Sequence, residues 1–434
     1  MGTVTPSKFL SPDQPRSLQQ PIEQQAREAF YAHYVSEGSR GWDFLIPYQL
    51  SASSPELLNR SIDAVSLAII AQQRSSASIM SSAQEHLGVA LRLLNRAISH
   101  TDLTSGNELL SAILLLDLFT KLTCPGPGDL AFWRGHLNGA LALIDALGLH
   151  NLQDRVSLRI LSRFSINSVT SCVASATTVP RQLGLVWAHV TSHMARGEDP
   201  KWKLTRYMIE YASFRASVRE GRGSLQGQVN MARLFDQSLL QLSQQMPLTW
   251  QPVKRTHINA FGSGFEYLSY KDRHVTQCWN VLRLVRIMVN EFLLEHSVEE
   301  GREDVVGETP QQTIITLVDN IRSSVYQYAG GCCQLRTRNP KTRKSISAQD
   351  IHSQPAHSPK QVLDCYTLIF PLFVAGRSTP ISADQKAAIV QSLRFIHMHF
   401  GIENASFAAN TIENQPDKDP WQVFAMLGSY GFAA

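Results

Sequence analysis

Apolar residues recur along this chain at helical spacing rather than in alternation. Leu87, Leu91, Leu94 and Ile98 stand at offsets 0, 4, 7 and 11, which puts them on one face at 3.6 residues per turn. Arg92, Asn95 and Arg96 lie off that stripe. Ser105 and Glu108 have the spacing of a capping box. The run that follows, Leu109 to Leu118, is apolar nearly all round and reads as a central helix. Cys124-Pro125-Gly126-Pro127-Gly128 cannot continue it, because proline lacks the amide donor and glycine loses too much backbone freedom. Asp129 is then placed to cap the next helix, where Trp133, Leu137, Ala140, Ile144 and Leu147 form the cleanest stripe, stopped by Gly148.

The same devices return further on. Met231, Phe235, Ser238 and Leu242 form a stripe ended by Pro247, and Val281, Val285, Met288 and Phe292 form another. Thr309-Pro310-Gln311-Gln312 combines a cap, a first-turn proline and a capping-box glutamine ahead of Ile314, Val318, Ile321 and Val325, with Gly330-Gly331 as the stop. Ser382 and Gln385 precede Ile389, Leu393, Ile396 and Phe400, stopped by Gly401. No convincing period-two alternation appears, so the expected class is all-α. No fixed repeat period is present, so the helix pairs should stack irregularly rather than as a solenoid. Residues 1–21, rich in Ser, Pro and Gln, are expected to be disordered. Residues 22–434 form the helical body, interrupted by a mobile basic loop at 336–360.

Composition narrows the class. Hydrophobic residues make up 43% and charged residues 18% of 434, so much of the helical surface should face other helices. The net charge of +4, from 40 basic and 36 acidic residues, is too balanced for a nucleic-acid footprint. The amino terminus has the pattern of neither a secretory signal nor a membrane anchor. The apolar runs Leu109 to Leu122 and Val362 to Ala375 carry Asp117 and Lys121, and Asp364 and Pro371. Both fall short of the roughly 20 residues needed to span a bilayer. Cys124, Cys172, Cys278 and Cys365 stand apart and Cys332-Cys333 are adjacent, which suits neither a disulfide framework nor a tetrahedral metal site.

Signatures of catalysis are missing: no nucleophile elbow, phosphate loop, zinc helix or dinucleotide turn is present. No catalytic, cofactor-binding or metal-binding residue is expected. His397 and His399 would point about 200° apart on a helix and cannot easily share a metal. His136 beside Trp133 could orient a ligand or act as a base, but packing is the simpler reading. Arg336, Arg338, Lys341, Arg343 and Lys344 form a cluster of five cations without an acid, either a nuclear-import signal or a solvated loop.

At the helix around Trp133 the chain resembles a known family. Trp133-x-x-His136-Leu137-x-Gly139-Ala140-x-x-Leu143, ending at Gly148, is similar to the signature of the fungal-specific transcription factor domain of binuclear zinc-cluster regulators. Ala29-Phe30-Tyr31-x-x-Tyr34-Val35 with Trp42-x-Phe44-Leu45 resembles that family's opening segment, and Leu109 to Phe119 its long apolar helix. Trp279-Asn280-x-x-Arg283-x-x-Arg286-Ile287 resembles a later block. Phe370-Pro371-Leu372-Phe373-Val374-Ala375-Gly376 resembles its late turn. The resemblance runs from about Ala26 to Trp421. It implies an all-helical module that receives regulatory signals, dimerises or contacts coregulators, and has no catalytic residues. Each block also has a structural role to play: Trp133 in the core, Gly139-Ala140 at a close helix approach, Trp279 and Arg283 locking helices together.

Full-length relatives carry six cysteines that hold two zinc ions and place a helix in the DNA major groove. Here the first cysteine is Cys124. The chain has lost that module, its gene assignment omits it, or it acts without direct DNA contact. The expected role is a nuclear transcriptional regulator, with a metabolic or secondary-metabolite gene cluster as the target by family analogy. Its partners would be itself, an intact zinc-cluster factor or coregulators, with DNA reached only indirectly and no membrane. Two other classes remain open. One is an interaction protein that dimerises with an intact factor. The other is a small-molecule-binding module or enzyme with a pocket between helices, where Arg283 or Arg286 could meet an anion.

Overall fold

The computed structural model describes residues 20–36, 41–49, 55–99, 106–123, 130–193, 199–258, 264–296, 309–330, 357–415 and 417–426. Over the first half the chain forms α1 (Ile22–Phe30), α2 (Glu56–Gln73), α3 (Ala77–Ser99), α4 (Gly106–Thr123), α5 (Leu130–Leu147), α6 (Arg155–Ala174) and α7 (Arg181–His193). A π-helical turn at Tyr31–Ser36 and a 3-10 turn at Asp43–Tyr48 join α1 to α2. The second half contains α8 (Pro200–Arg219), α9 (Leu225–Gln244), α10 (Arg273–His296), α11 (Pro310–Ser323), α12 (Tyr326–Ala329), α13 (Pro359–Tyr366), α14 (Ile369–Arg377), α15 (Ala383–Phe400), α16 (Glu403–Asn414) and α17 (Pro420–Met426). Among the described residues the fold is all-α apart from one hairpin.

Helix ends fall where the sequence supplies caps. Asp154, Asp199, Ser224 and Thr309 accept amide hydrogen bonds at the starts of α6, α8, α9 and α11, and Ser382 and Gln385 complete a reciprocal box at α15. Gly148 after α5 and Gly401 after α15 have φ of +74° and +66°, a region where a side chain would be strained. Every residue of α4 from Leu109 to Leu122 is buried. The two charges inside that run, Asp117 and Lys121, pair at 2.7 Å one turn apart, and so neither is left alone in the core. Around α4 pack α2, α3, α5 and α6, while α10 is the centre of the second half, against α8, α9, α11 and α14.

Three local expectations need correction. In α3, Leu91 and Ile98 are exposed, whereas Ala83, Ala90 and Leu94 are buried. The tight turn at 74–76 folds α3 back along α2, and small side chains mark the face that lies closest to it. In α9, Met231 is exposed and the buried face runs through Val229, Ala232, Phe235, Leu239 and Leu242. The end of the basic loop is helix instead: Ser358 and Gln361 form a capping box and α13 begins at Pro359. Residues 336–356 and 1–19 lie outside the described residues, as do Ser105, Asp129 and the Cys124–Gly128 run.

The hairpin pairs β1 (Val253–Ile258) with β2 (Gly264–Ser269), antiparallel, in register from Val253↔Ser269 to Ile258↔Gly264. Most of its residues are exposed, so it has no core-facing alternation for the sequence to display. His257, Phe265 and Tyr267 gather instead on Tyr326, with ring centroids 4.7–5.0 Å apart.

Candidate functional site

Between the two halves lies a cavity of about 100 Å³, walled by α6, α8 and α10 and closed by Lys121 of α4, Phe370 of α14, and Trp421 and Phe424 of α17. Its position follows from the helix starts. Asp199 accepts the Lys201 amide at 2.9 Å and Pro200 occupies the first turn of α8. Lys201 is thereby fixed at the cavity wall, half-buried. Ile166, Val169, Leu204, Met208, Val281 and Leu284 make the lining largely apolar.

The polar lining is partly spent and partly free. Hydroxyls of Thr170, Ser171 and Thr205 donate to carbonyls one turn back in their own helices, which leaves lone pairs but no proton for a guest. Asn167 and Gln277 are buried and face the cavity. Among the described residues no hydrogen bond engages either side-chain amide, an arrangement that a buried polar group seldom keeps without a partner. No carboxylate among the described residues lies within 4 Å of the Lys201 ammonium, and the Asp199 carboxylate is committed to its cap.

Electrostatics single out the same lysine. Burial, reinforced by the positive charge of Arg163, brings Lys201 down to about 8, against the opposing influence of Cys278 and Asp199. Burial likewise pushes the Cys278 thiol up to about 12, with Lys201 pulling the other way. Arg163 is lowered to about 10 by burial, offset by Asp117, and its guanidinium sits 4.9 Å over Trp42. Four cations, Lys121, Arg163, Lys201 and Arg273, therefore share this region with three carboxylates, Asp117, Asp199 and Asp364, the last paired with Arg273 at 3.3 Å. A smaller pocket of about 20 Å³ shares Lys121, Asn167 and Ser171 with the cavity and reaches Leu137 and Ala140 of α5.

The residues that the sequence marks lie mostly elsewhere. Trp133 and His136 fall on α5, with side chains outside the described residues. Leu137 and Ala140 are buried. Gly139 is exposed, and among the described residues nothing lies within 4 Å of where its Cβ would be, so it permits no close helix approach there. Trp279 donates to the Trp250 carbonyl at 2.8 Å and Asn280 to the Ser324 hydroxyl at 3.1 Å. Arg283 stacks on Tyr270 and Trp279 and bonds Asn280, while Arg286 forks onto Asp236. Neither arginine lines the cavity, so the expected anion contact does not fall on them. Pro371 and Gly376 lie in α14, so the block that resembles the family's late turn is part of a buried helix. A Cβ at Gly376 would sit 2.7 Å from Ile412 Cδ1. Arg336, Arg338, Lys341, Arg343 and Lys344 lie outside the described residues.

Lys201, Asn167 and Gln277 had no sequence mark. They occupy three helices and meet only through tertiary packing. Among the described residues no cluster of three or more His, Cys, Asp or Glu side chains could hold a metal, and no helix is long and apolar enough to cross a membrane. No curated protein and no solved structure matches the chain. The walls that α4, α6 and the first half of α8 contribute to the cavity all lie within residues 39–210, which match the family model of the fungal specific transcription factor domain.

Proposed function

We propose that this chain is a transcriptional regulator of the fungal zinc-cluster family that acts in the nucleus through protein partners. Those partners are a second copy, an intact zinc-cluster factor or coregulators, and DNA is reached through them. The single observation that carries this reading is the family match over residues 39–210. The near-balanced charge favours protein contacts over a sequence-independent hold on DNA. Control of a metabolic or secondary-metabolite gene cluster rests on family analogy. Tethering the full chain to a heterologous DNA-binding domain ahead of a reporter tests the role. A changed reporter output, together with recovery of a zinc-cluster factor in pull-down from the source cells, is expected. An inert tethered chain that recovers no such factor would refute it. A second reading, a small-molecule-binding helical module, is favoured by the cavity with its two unengaged amides.

A further inference from the structure

The cavity has a direction. Along α8 its lining runs Lys201, Leu204, Thr205, Met208, and along α10 it runs Gln277, Cys278, Val281, Leu284, with the Thr205 hydroxyl spent on the Lys201 carbonyl. On both helices the group able to donate hydrogen bonds comes first and apolar side chains fill the next two turns, about 10 Å further along. A guest suited to this wall has a short hydrogen-bond-accepting head and a hydrocarbon body.

The charge of the head follows from the local balance. Lys121 is neutralised by Asp117 at 2.7 Å, and Arg163 draws on the same carboxylate. Asp199 caps α8 at the Lys201 amide. One positive charge is in excess, and Lys201 lines the space where a guest would lie. No arginine lines the cavity, so the planar fork that suits a phosphate dianion is missing. A monoanion satisfies the excess charge, and the amides of Asn167 and Gln277 can each donate a hydrogen bond to its second oxygen.

We infer that this cavity binds a small apolar carboxylate, its hydrocarbon end among Leu204, Met208, Val281 and Leu284 and its carboxylate on Lys201 with Asn167 and Gln277. The site joins walls from within residues 39–210 to walls from α10, α14 and α17. A guest there would bridge the two halves and stabilise their present packing. This goes beyond the regulatory reading and fails separately from it, since binding is read on purified chain and transcription on a reporter.

Calorimetric titration of the full chain at pH 7 tests it, with octanoate and 3-phenylpropionate as probes and 1-octanol and 3-phenylpropanol as uncharged controls. At least one acid should bind with Kd below about 1 mM and about tenfold more tightly than its alcohol. Lys201→Met should remove that preference while leaving alcohol binding within about threefold. Met208→Trp, which fills the apolar end, should block acid and alcohol alike, and it serves as the decisive variant if Lys201→Met does not fold by circular dichroism. Failure of both acids to bind, equal affinity for acid and alcohol, or unchanged acid binding in either folded variant would overturn the inference.

Discussion

Arg286 of α10 meets Asp236 of α9 in a two-bond fork, Nε to Oδ1 at 2.8 Å and Nη2 to Oδ2 at 3.0 Å. Asn290, one turn along, donates to the same Asp236 oxygen at 2.8 Å. The fork and the Asn290 amide tie together two long helices, so they fix the register of the pair as well as its distance. Removing Arg286 leaves the carboxylate held by an amide alone.

Arg286→Ala should therefore destabilise the fold by about 3 kcal/mol, the low end for breaking a buried pair. Replacing both partners, Arg286→Leu with Asp236→Leu, should recover much of that loss, because no charge is then stranded. Urea unfolding of the three proteins checks this. Equal stability of the double variant and Arg286→Ala would mean that the fork contributes more than the relief of an unpaired charge.

This part of the structure was open to the sequence only in outline. The block holding Trp279, Asn280, Arg283 and Arg286 has helical spacing, but its partners Trp250, Ser324, Tyr270 and Asp236 lie far away along the chain. Burial of α4 and the caps at Thr309 and Ser382 could be read directly, because run length and cap chemistry are local properties. The α2-facing side of α3 could not, because a leucine count favours Leu91 and Ile98, while close packing selects Ala83 and Ala90. Lys201 is the extreme case. Nothing in Asp199-Pro200-Lys201 beyond a helix start distinguishes its ammonium from that of any surface lysine until α6 and α10 cover it.

Gly376 sits where α14 crosses α15 and α16. An added Cβ would stand 2.7 Å from Ile412 Cδ1 and 3.0 Å from Ile389 Cγ2, distances that force a side chain to shift. Gly376→Ala is expected to cost about 1–3 kcal/mol as an overpacked site, even though alanine is the better helix former. Adding Ile412→Val should return part of it by removing the clashing methyl. A thermal midpoint for Gly376→Ala at or above that of the parent would contradict the close approach.

The Lys201 charge should destabilise the unliganded protein. Its value falls from 10.5 to about 8 on folding, chiefly through burial. Between those values the unfolded chain binds the proton more readily, so this group makes stability rise with pH from about 8 towards 10.5. Cys278 works in the opposite direction, mainly from 9 upward, since it rises from 9.0 to about 12. Cys172, whose thiol is also raised by burial, acts in the same direction as Cys278, but between pH 8 and 9 both thiols have only begun to ionise in the unfolded chain and the lysine outweighs them. Stability should increase there by up to about 1 kcal/mol, a bound reduced because Lys201 is only half-buried. Lys201→Met should be more stable than the parent at pH 7 and should lose the rise across the window, keeping only the slight decline that the two buried thiols impose. A parent protein whose stability falls between pH 8 and 9 would show that the ammonium is already compensated.

The remaining prediction concerns entry into the nucleus, and it rests on the sequence of a segment outside the described residues. Arg336, Arg338, Lys341, Arg343 and Lys344 place five cations within nine residues and no acid among them, a pattern that serves import signals and solvated loops alike. The regulatory role proposed above requires a chain of 48.4 kDa to reach the nucleus, which favours the first use. The five replacements by Ala should leave the thermal midpoint nearly unchanged, because a segment of cations, Thr, Asn and Pro offers no apolar side chain to a packed core. They should move a fluorescent fusion of the full chain towards the cytoplasm. The decisive comparison is made in cells with and without a zinc-cluster partner recovered by pull-down. If the substituted chain stays nuclear only when that partner is present, import is borrowed through the partner contact. If it stays nuclear in both, the cluster plays no part in import and its cations serve a solvated segment.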